Sequence, residues 1–92
     1  MPHLTPHTTP HTTIVSGPPR TGKTIYAHAL HARLVKEGKR VLVIDELNPA
    51  RFKEHHASGK WDHIILTTNK HIDLHAADLR RRINTIVRTE QV

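Results

Sequence analysis

Apolar positions in this chain fall in short runs, each bounded by glycine, proline or a polar cluster. Thr13-Ile14-Val15-Ser16 is β-branched or small throughout and reads as the end of a buried strand. Lys23 to about Lys36 reads as a helix. Ile25, Ala29, Ala32 and Leu34 or Val35 lie near helical spacing on one face, with His28, His31, Arg33 and Lys36 on the other. Gly38 is a natural cap for its end, and Lys36, Lys39 and Arg40 suit that end of the helix dipole. Val41-Leu42-Val43-Ile44 is a continuous apolar run of strand length, which predicts burial on both faces. Asn48 caps a second helix that starts at Pro49 and runs to about Ala57, where Ser58-Gly59 breaks it. His63-Ile64-Ile65-Leu66-Thr67-Thr68 is a third strand ending at Asn69. Leu74 to about Arg82 fits a short third helix, and Asn84 to Thr89 a last strand. Strands alternate with helices across short connections, so the expected fold is α/β, with four parallel strands and three helices.

Ahead of this pattern stands a tetrapeptide repeat, Pro2-His3-Leu4-Thr5, Pro6-His7-Thr8-Thr9, Pro10-His11-Thr12-Thr13. Proline at every fourth position argues against helix and interior strand, so residues 1–12 are expected to be an extended arm and residues 13–92 the domain. The three histidines of the repeat lack cysteine or carboxylate companions, which favours a low-complexity tail over a metal site. The chain has 92 residues, enough for one small domain, and a fold of that size buries only about 60–65% of its unfolded surface. With 36% hydrophobic residues and Tyr26, Phe52 and Trp61 as its aromatics, its core is lean enough that a partner, an oligomer or a bound nucleotide would help it. There is no cysteine, hence no disulfide framework or thiolate metal site. No run reaches membrane-spanning length and no signal-peptide stretch opens the chain, so no membrane partner and a cytoplasmic location are expected. The net charge of +6, with ten histidines besides, favours polyanionic partners: nucleotide phosphates, and nucleic acid as a further option.

The chemistry concentrates in Gly17-Pro18-Pro19-Arg20-Thr21-Gly22-Lys23-Thr24, the pattern G-x-x-x-x-G-K-T of a phosphate-binding loop. Between a strand and a helix, backbone N–H groups of such a loop and of the helix start at Ile25 converge on negative charge. Lys23 would reach the β- and γ-phosphates, and the Thr24 hydroxyl would sit on Mg²⁺. Ligands of open α/β sheets bind at the carboxyl ends of strands, and here two further strands end in Asp45-Glu46 and in Asn69. ATP hydrolysis needs a carboxylate to orient hydrated Mg²⁺, a second to polarise the attacking water and a neutral polar group to hold it. Asp45, Glu46 and Asn69 could fill those roles in that order. Arg80-Arg81-Arg82 precede the last strand, with three readings: a finger for a neighbouring subunit's nucleotide, a basic helix end favoured by the dipole, or contact with a nucleic-acid backbone. Trp61 is expected to cap the core where the third strand starts, and His71 and His75, four apart, are expected in an exposed loop.

The order of these motifs resembles the AAA+ family of ATPases. Gly17–Thr24 looks like that family's GPPGTGKT with Arg20 in place of the last variable glycine. Val41–Glu46 resembles its Walker B strand, Ile64–Asn69 its sensor-1 strand, and Ile72–Ile83 the segment with its arginine finger. Superfamily 3 helicases of DNA viruses share a similar order. The resemblance covers about residues 13–89 and implies a strand order of 4-1-3-2, a minimal P-loop fold and binding of ATP and Mg²⁺. It implies that Thr24 and Asp45 hold the metal, that Glu46 and Asn69 act on the attacking water, and that Arg82, with Arg81 second, serves as the finger in an oligomer. The chain departs from the family in passing directly from the first helix to the Walker B strand and in showing no helical lid. Arg20 adds bulk and charge to a loop that prefers small residues, and would either assist phosphate or crowd it. The resemblance therefore implies an ATP-binding protein whose hydrolysis is weak or assembly-dependent. The alternatives are a non-enzymatic reduced core that docks on and regulates a larger ATPase, or a basic nucleic-acid-binding module.

Overall fold

The computed structural model describes residues 9–69 and 77–89. Four strands, β1 (His11–Ser16), β2 (Val41–Ile44), β3 (His63–Thr68) and β4 (Thr85–Arg88), form one sheet in the order β2-β3-β1-β4, with every neighbouring pair parallel. Helices α1 (Lys23–Lys36), α2 (Pro49–Ala57) and α3 (Ala77–Arg80) connect them. This is a small α/β fold with the strand order that the resemblance implies.

Consecutive residues of a strand point to opposite faces, and the two apolar clusters follow that alternation. Ile14, Ile44, Ile64 and Leu66 pack with Leu47, with Phe52 of α2 and with Leu79 of α3. Ile65 packs on the other face with Ala27 and Leu34 of α1, flanked by Leu30, Val41 and Val43. One helix therefore covers one face and two cover the other. Trp61 lies against the first cluster, as expected of a residue that closes the core.

The helix termini follow their sequence signals. The Gly38 N–H donates to Val35 O at 2.9 Å and the Lys39 N–H to Leu34 O at 3.1 Å, with Gly38 at φ +87°, the paired closure that favours glycine after a helix. Asn48 accepts from the Arg51 N–H at 3.2 Å, and Pro49 opens α2.

Four expectations need correction. β1 begins at His11, so His11 and Thr12 belong to the sheet and not to the arm. The strand is held at its start by Asn84, which accepts from the Thr12 N–H at 2.7 Å, and Pro10 lies just outside the ladder, where its missing N–H costs nothing. The buried stripe of α1 is Lys23, Ala27 and Leu34, with Leu30 half-buried beside it, while Ile25 is 77% and Val35 48% exposed. The phase is set by the loop, which delivers Lys23 buried into the first turn. β2 is only half-buried along Val41–Val43 because it is an edge strand. The helix expected over Leu74–Arg82 is observed as Ala77–Arg80; Leu74–Ala76, like His71, Asp73 and His75, lies outside the described residues. Among the described residues no helix is long and apolar enough to cross a membrane.

Candidate functional site

All four strands run the same way, so the segments leaving β1, β2 and β3 emerge together at one edge of the sheet. Gly17 follows β1 there, and its N–H donates to Thr68 O at 3.2 Å, fixing the loop to the end of β3. On the other side the Thr89 N–H donates to Ser16 O at 2.9 Å, and the Thr21 and Thr89 hydroxyls share a hydrogen bond. Gly17 is required by close approach: a Cβ there would fall inside 3.0 Å of Thr89 Oγ1.

The Thr21 hydroxyl donates to Pro18 O at 2.7 Å, and Lys23 Nζ donates to the same oxygen at 2.7 Å. The lysine is only 8% exposed, its ammonium folded back over the loop. Among the described residues the N–H groups of Arg20, Thr21, Gly22, Lys23, Thr24 and Ile25 take no hydrogen bond, and no side chain caps the start of α1. Unpaired amides at a helix start carry the positive end of the dipole, an arrangement that suits an anion. Arg20, Gly22, Lys23, Thr24 and Ile25 line an open concavity of about 300 Å³ beside them. Arg20 stands at φ +66° and Gly22 at φ +86°. Glycine adopts this region freely, whereas for a residue with a Cβ it costs about 1–2 kcal/mol.

The acidic pair is fastened to β3. The Thr67 hydroxyl donates to Asp45 Oδ1 at 2.7 Å and accepts from the Glu46 N–H at 2.8 Å, and the Leu47 N–H donates to Thr67 O at 2.7 Å. Glu46 turns the chain at φ +61°, a second non-glycine residue in the left-handed region. Its carboxylate accepts from the Asn69 N–H at 3.1 Å and from the Thr68 hydroxyl at 3.5 Å. Asp45, Glu46 and Asn69 are thus brought together at the ends of β2 and β3, with β3 next to the strand that leads into the loop. Thr67, Thr68 and Thr89 hold this arrangement and escape a linear reading, because their hydrogen-bond partners lie far away along the chain, 22 residues for Thr67 and Asp45 and 68 for Thr89 and Thr21.

Arg81 and Arg82 are elsewhere. The Asn84 N–H donates to Thr12 O at 2.9 Å, so the turn carrying them meets β1 at its amino end, opposite the loop. Both pair with Asp78, Arg82 at 2.6 Å and Arg81 at 3.3 Å, and Lys53 of α2 joins them at 2.8 Å. The hydrogen bonds from Lys53 and Arg82 hold the Asp78 carboxyl well below the usual carboxylate range. At the same edge Arg40 forks onto Asp62, whose pKa is lowered to about 2 chiefly by that hydrogen bond. The His63 ring shares a hydrogen bond with Thr13 Oγ1 at 2.9 Å and lies 4.9 Å from the His11 ring. Burial, with the positive charge of His11, Lys39 and Arg33, lowers its pKa to about 4.

Among the described residues no three histidine or acidic side chains group to hold a metal. Thr24 lies in the first turn of α1 and Asp45 at the end of β2, two strands from β1; each carries an oxygen of the kind that Mg²⁺ takes. Comparison with protein-family models, with curated proteins and with solved structures returns no match.

Proposed function

We propose that this chain is a phosphate-loop protein that binds ATP with Mg²⁺ at Gly17–Ile25, in the manner of a strongly reduced AAA+ core. The observation that carries the reading is the G-x-x-x-x-G-K-T segment joining a central strand to a helix, with its amides unpaired and Lys23 folded over it. Thr24 and Asp45 would hold Mg²⁺, which would neutralise charge between the outer phosphates. Glu46 would take a proton from water as the water oxygen attacks the γ-phosphorus and ADP departs, with Asn69 positioning that water. The two bonds that Glu46 already accepts leave its carboxylate lone pairs for a water. Hydrolysis is weak in the isolated chain because Arg81 and Arg82 lie across the sheet from the loop, so transition-state charge from them has to come from another subunit.

A second reading is favoured by those same arginines: both are held by Asp78, so the chain binds nucleotide without turning it over and docks on a larger ATPase. Turnover against protein concentration separates the two. Self-assembly predicts a specific rate that rises steeply with concentration and falls in Arg82→Ala and Glu46→Gln. A monomer that binds MgATP and never turns it over supports the docking reading. Failure to bind MgATP at millimolar nucleotide sinks both.

A further inference from the structure

Arg20 is the residue of the loop whose presence the fold does not explain. It occupies a left-handed conformation at φ +66°, which glycine would adopt freely and a long side chain only at a cost. Its side chain is exposed, and among the described residues it makes no hydrogen bond or ion pair. Arg40, Arg81 and Arg82 are, by contrast, held by Asp62 and Asp78. Backbone strain of this kind persists where the surrounding structure imposes it, and it gathers at functional sites. Here it sets an uncommitted guanidinium on the rim of the concavity that also holds Lys23 and Thr24.

The same concavity is notable for what lines it. Its walls are Arg20, Gly22, Lys23, Thr24 and Ile25, all from the loop and the first turn of α1. At about 300 Å³ it lies at the lower end of the range for ligand cavities, roughly 300–1,000 Å³. Among the described residues no aromatic ring lines it. Phe52 is buried in the core, Trp61 packs on the same cluster, and Tyr26 lines a separate shallow groove with Ala29, Leu30 and Arg33. Among the described residues no carboxamide or carboxylate belongs to its lining.

We infer that the concavity recognises a triphosphate chain with little regard to the base, and that Arg20 selects three phosphates over two. The inference rests on the phosphate-loop reading above and adds the ligand class that this loop takes. The amides of the loop act on the inner phosphates and Lys23 on the β- and γ-phosphates, while the planar five-donor fork of Arg20 adds a further donor set for the charge of the terminal one. Arg20 thus assists phosphate and does not crowd it.

The test is calorimetric titration of the full 92-residue chain at fixed ionic strength, with Mg²⁺ and, in turn, ATP, GTP, ADP, inorganic tripolyphosphate and pyrophosphate. ATP, GTP and tripolyphosphate should bind within about threefold of one another, and ADP and pyrophosphate about tenfold more weakly, the worth of one charge-assisted contact. Arg20→Gly should melt no lower than the parent and lose the tenfold preference. Arg20→Lys should keep only part of it, since an ammonium is a point charge without the fork. An undiminished ATP-to-ADP ratio in Arg20→Gly overturns the role of Arg20. Binding of ATP without tripolyphosphate overturns the indifference to the base. If no ligand binds, or if Lys23→Ala binds all five as the parent does, the phosphate-loop reading itself fails and this inference with it.

Discussion

Replacement of Gly17 by alanine probes how closely the loop is fitted to the sheet. The added methyl would sit inside 3.0 Å of Thr89 Oγ1, 3.2 Å from Thr21 Oγ1 and 3.4 Å from the Thr89 carbonyl carbon. The Thr89 side chain must turn away, which breaks the hydroxyl–hydroxyl bond to Thr21 that ties the loop to β4. Loss of that bond is worth about 1 kcal/mol. Overpacking of a buried position adds about 1–3 kcal/mol, for a total of roughly 2–4 kcal/mol. In a domain of this size each kcal/mol moves the melting temperature by about 4–8 °C, so circular dichroism should show a fall on the order of 10 °C or more. The companion variant Thr89→Ala removes the obstructing oxygen and should cost only about 1 kcal/mol by itself. The double variant should then be at least about 1 kcal/mol more stable than the sum of the single losses predicts. Additivity within about 0.3–0.5 kcal/mol, or an unchanged melt for Gly17→Ala, would refute the close fit.

Two further predictions concern charge. His63 has a folded pKa near 4, below its ordinary 6.5, so between those values the unfolded chain binds the extra proton. Stability is therefore complete above pH 6.5 and declines as pH falls toward 4; melts across that window should flatten in His63→Gln, and an identical slope in the variant would exclude His63 as the cause. Asp78→Asn releases Lys53, Arg81 and Arg82 together and loosens α2 from the turn after α3. The variant should melt lower, by a margin that shrinks in high salt and, because the folded carboxyl titrates below its usual range, also shrinks as pH falls below about 4. A salt-independent difference would point to lost packing instead.

The elements with strong local signals were legible in the sequence. α1 is bounded by the loop glycine and by Gly38, α2 by Asn48-Pro49 and Ser58, and β3 spans the residues expected for the third strand, His63–Thr68. The start of β1 was not. His11 and Thr12 carry no apolar marker, and their pairing depends on His63, Asn84 and Thr85, more than fifty residues away. The inner face of α1 was hidden for another reason. Ile25, Ala27, Ala29, Leu30, Ala32, Leu34 and Val35 support more than one helical phase, and the choice is made by how the loop delivers Lys23. In the candidate site the Gly17–Thr24 segment and the Asp45, Glu46 and Asn69 positions at the ends of strands could be read directly. The threonines that clamp them could not, because parallel strand register, and not spacing along the chain, brings Thr67 to Asp45 and Thr89 to Thr21. The separation of Arg81 and Arg82 from the loop is likewise a product of strand direction.

The central claim is that Gly17–Ile25 binds phosphate, and amide-resolved NMR of the ¹⁵N-labelled chain titrated with MgATP tests it most directly. The account predicts that the amides of Arg20, Thr21, Gly22, Lys23, Thr24 and Ile25 shift together, saturate by millimolar nucleotide and stay still in Lys23→Ala. An unchanged spectrum at that concentration, or shifts spread over the basic surface with the loop amides unmoved, would contradict it.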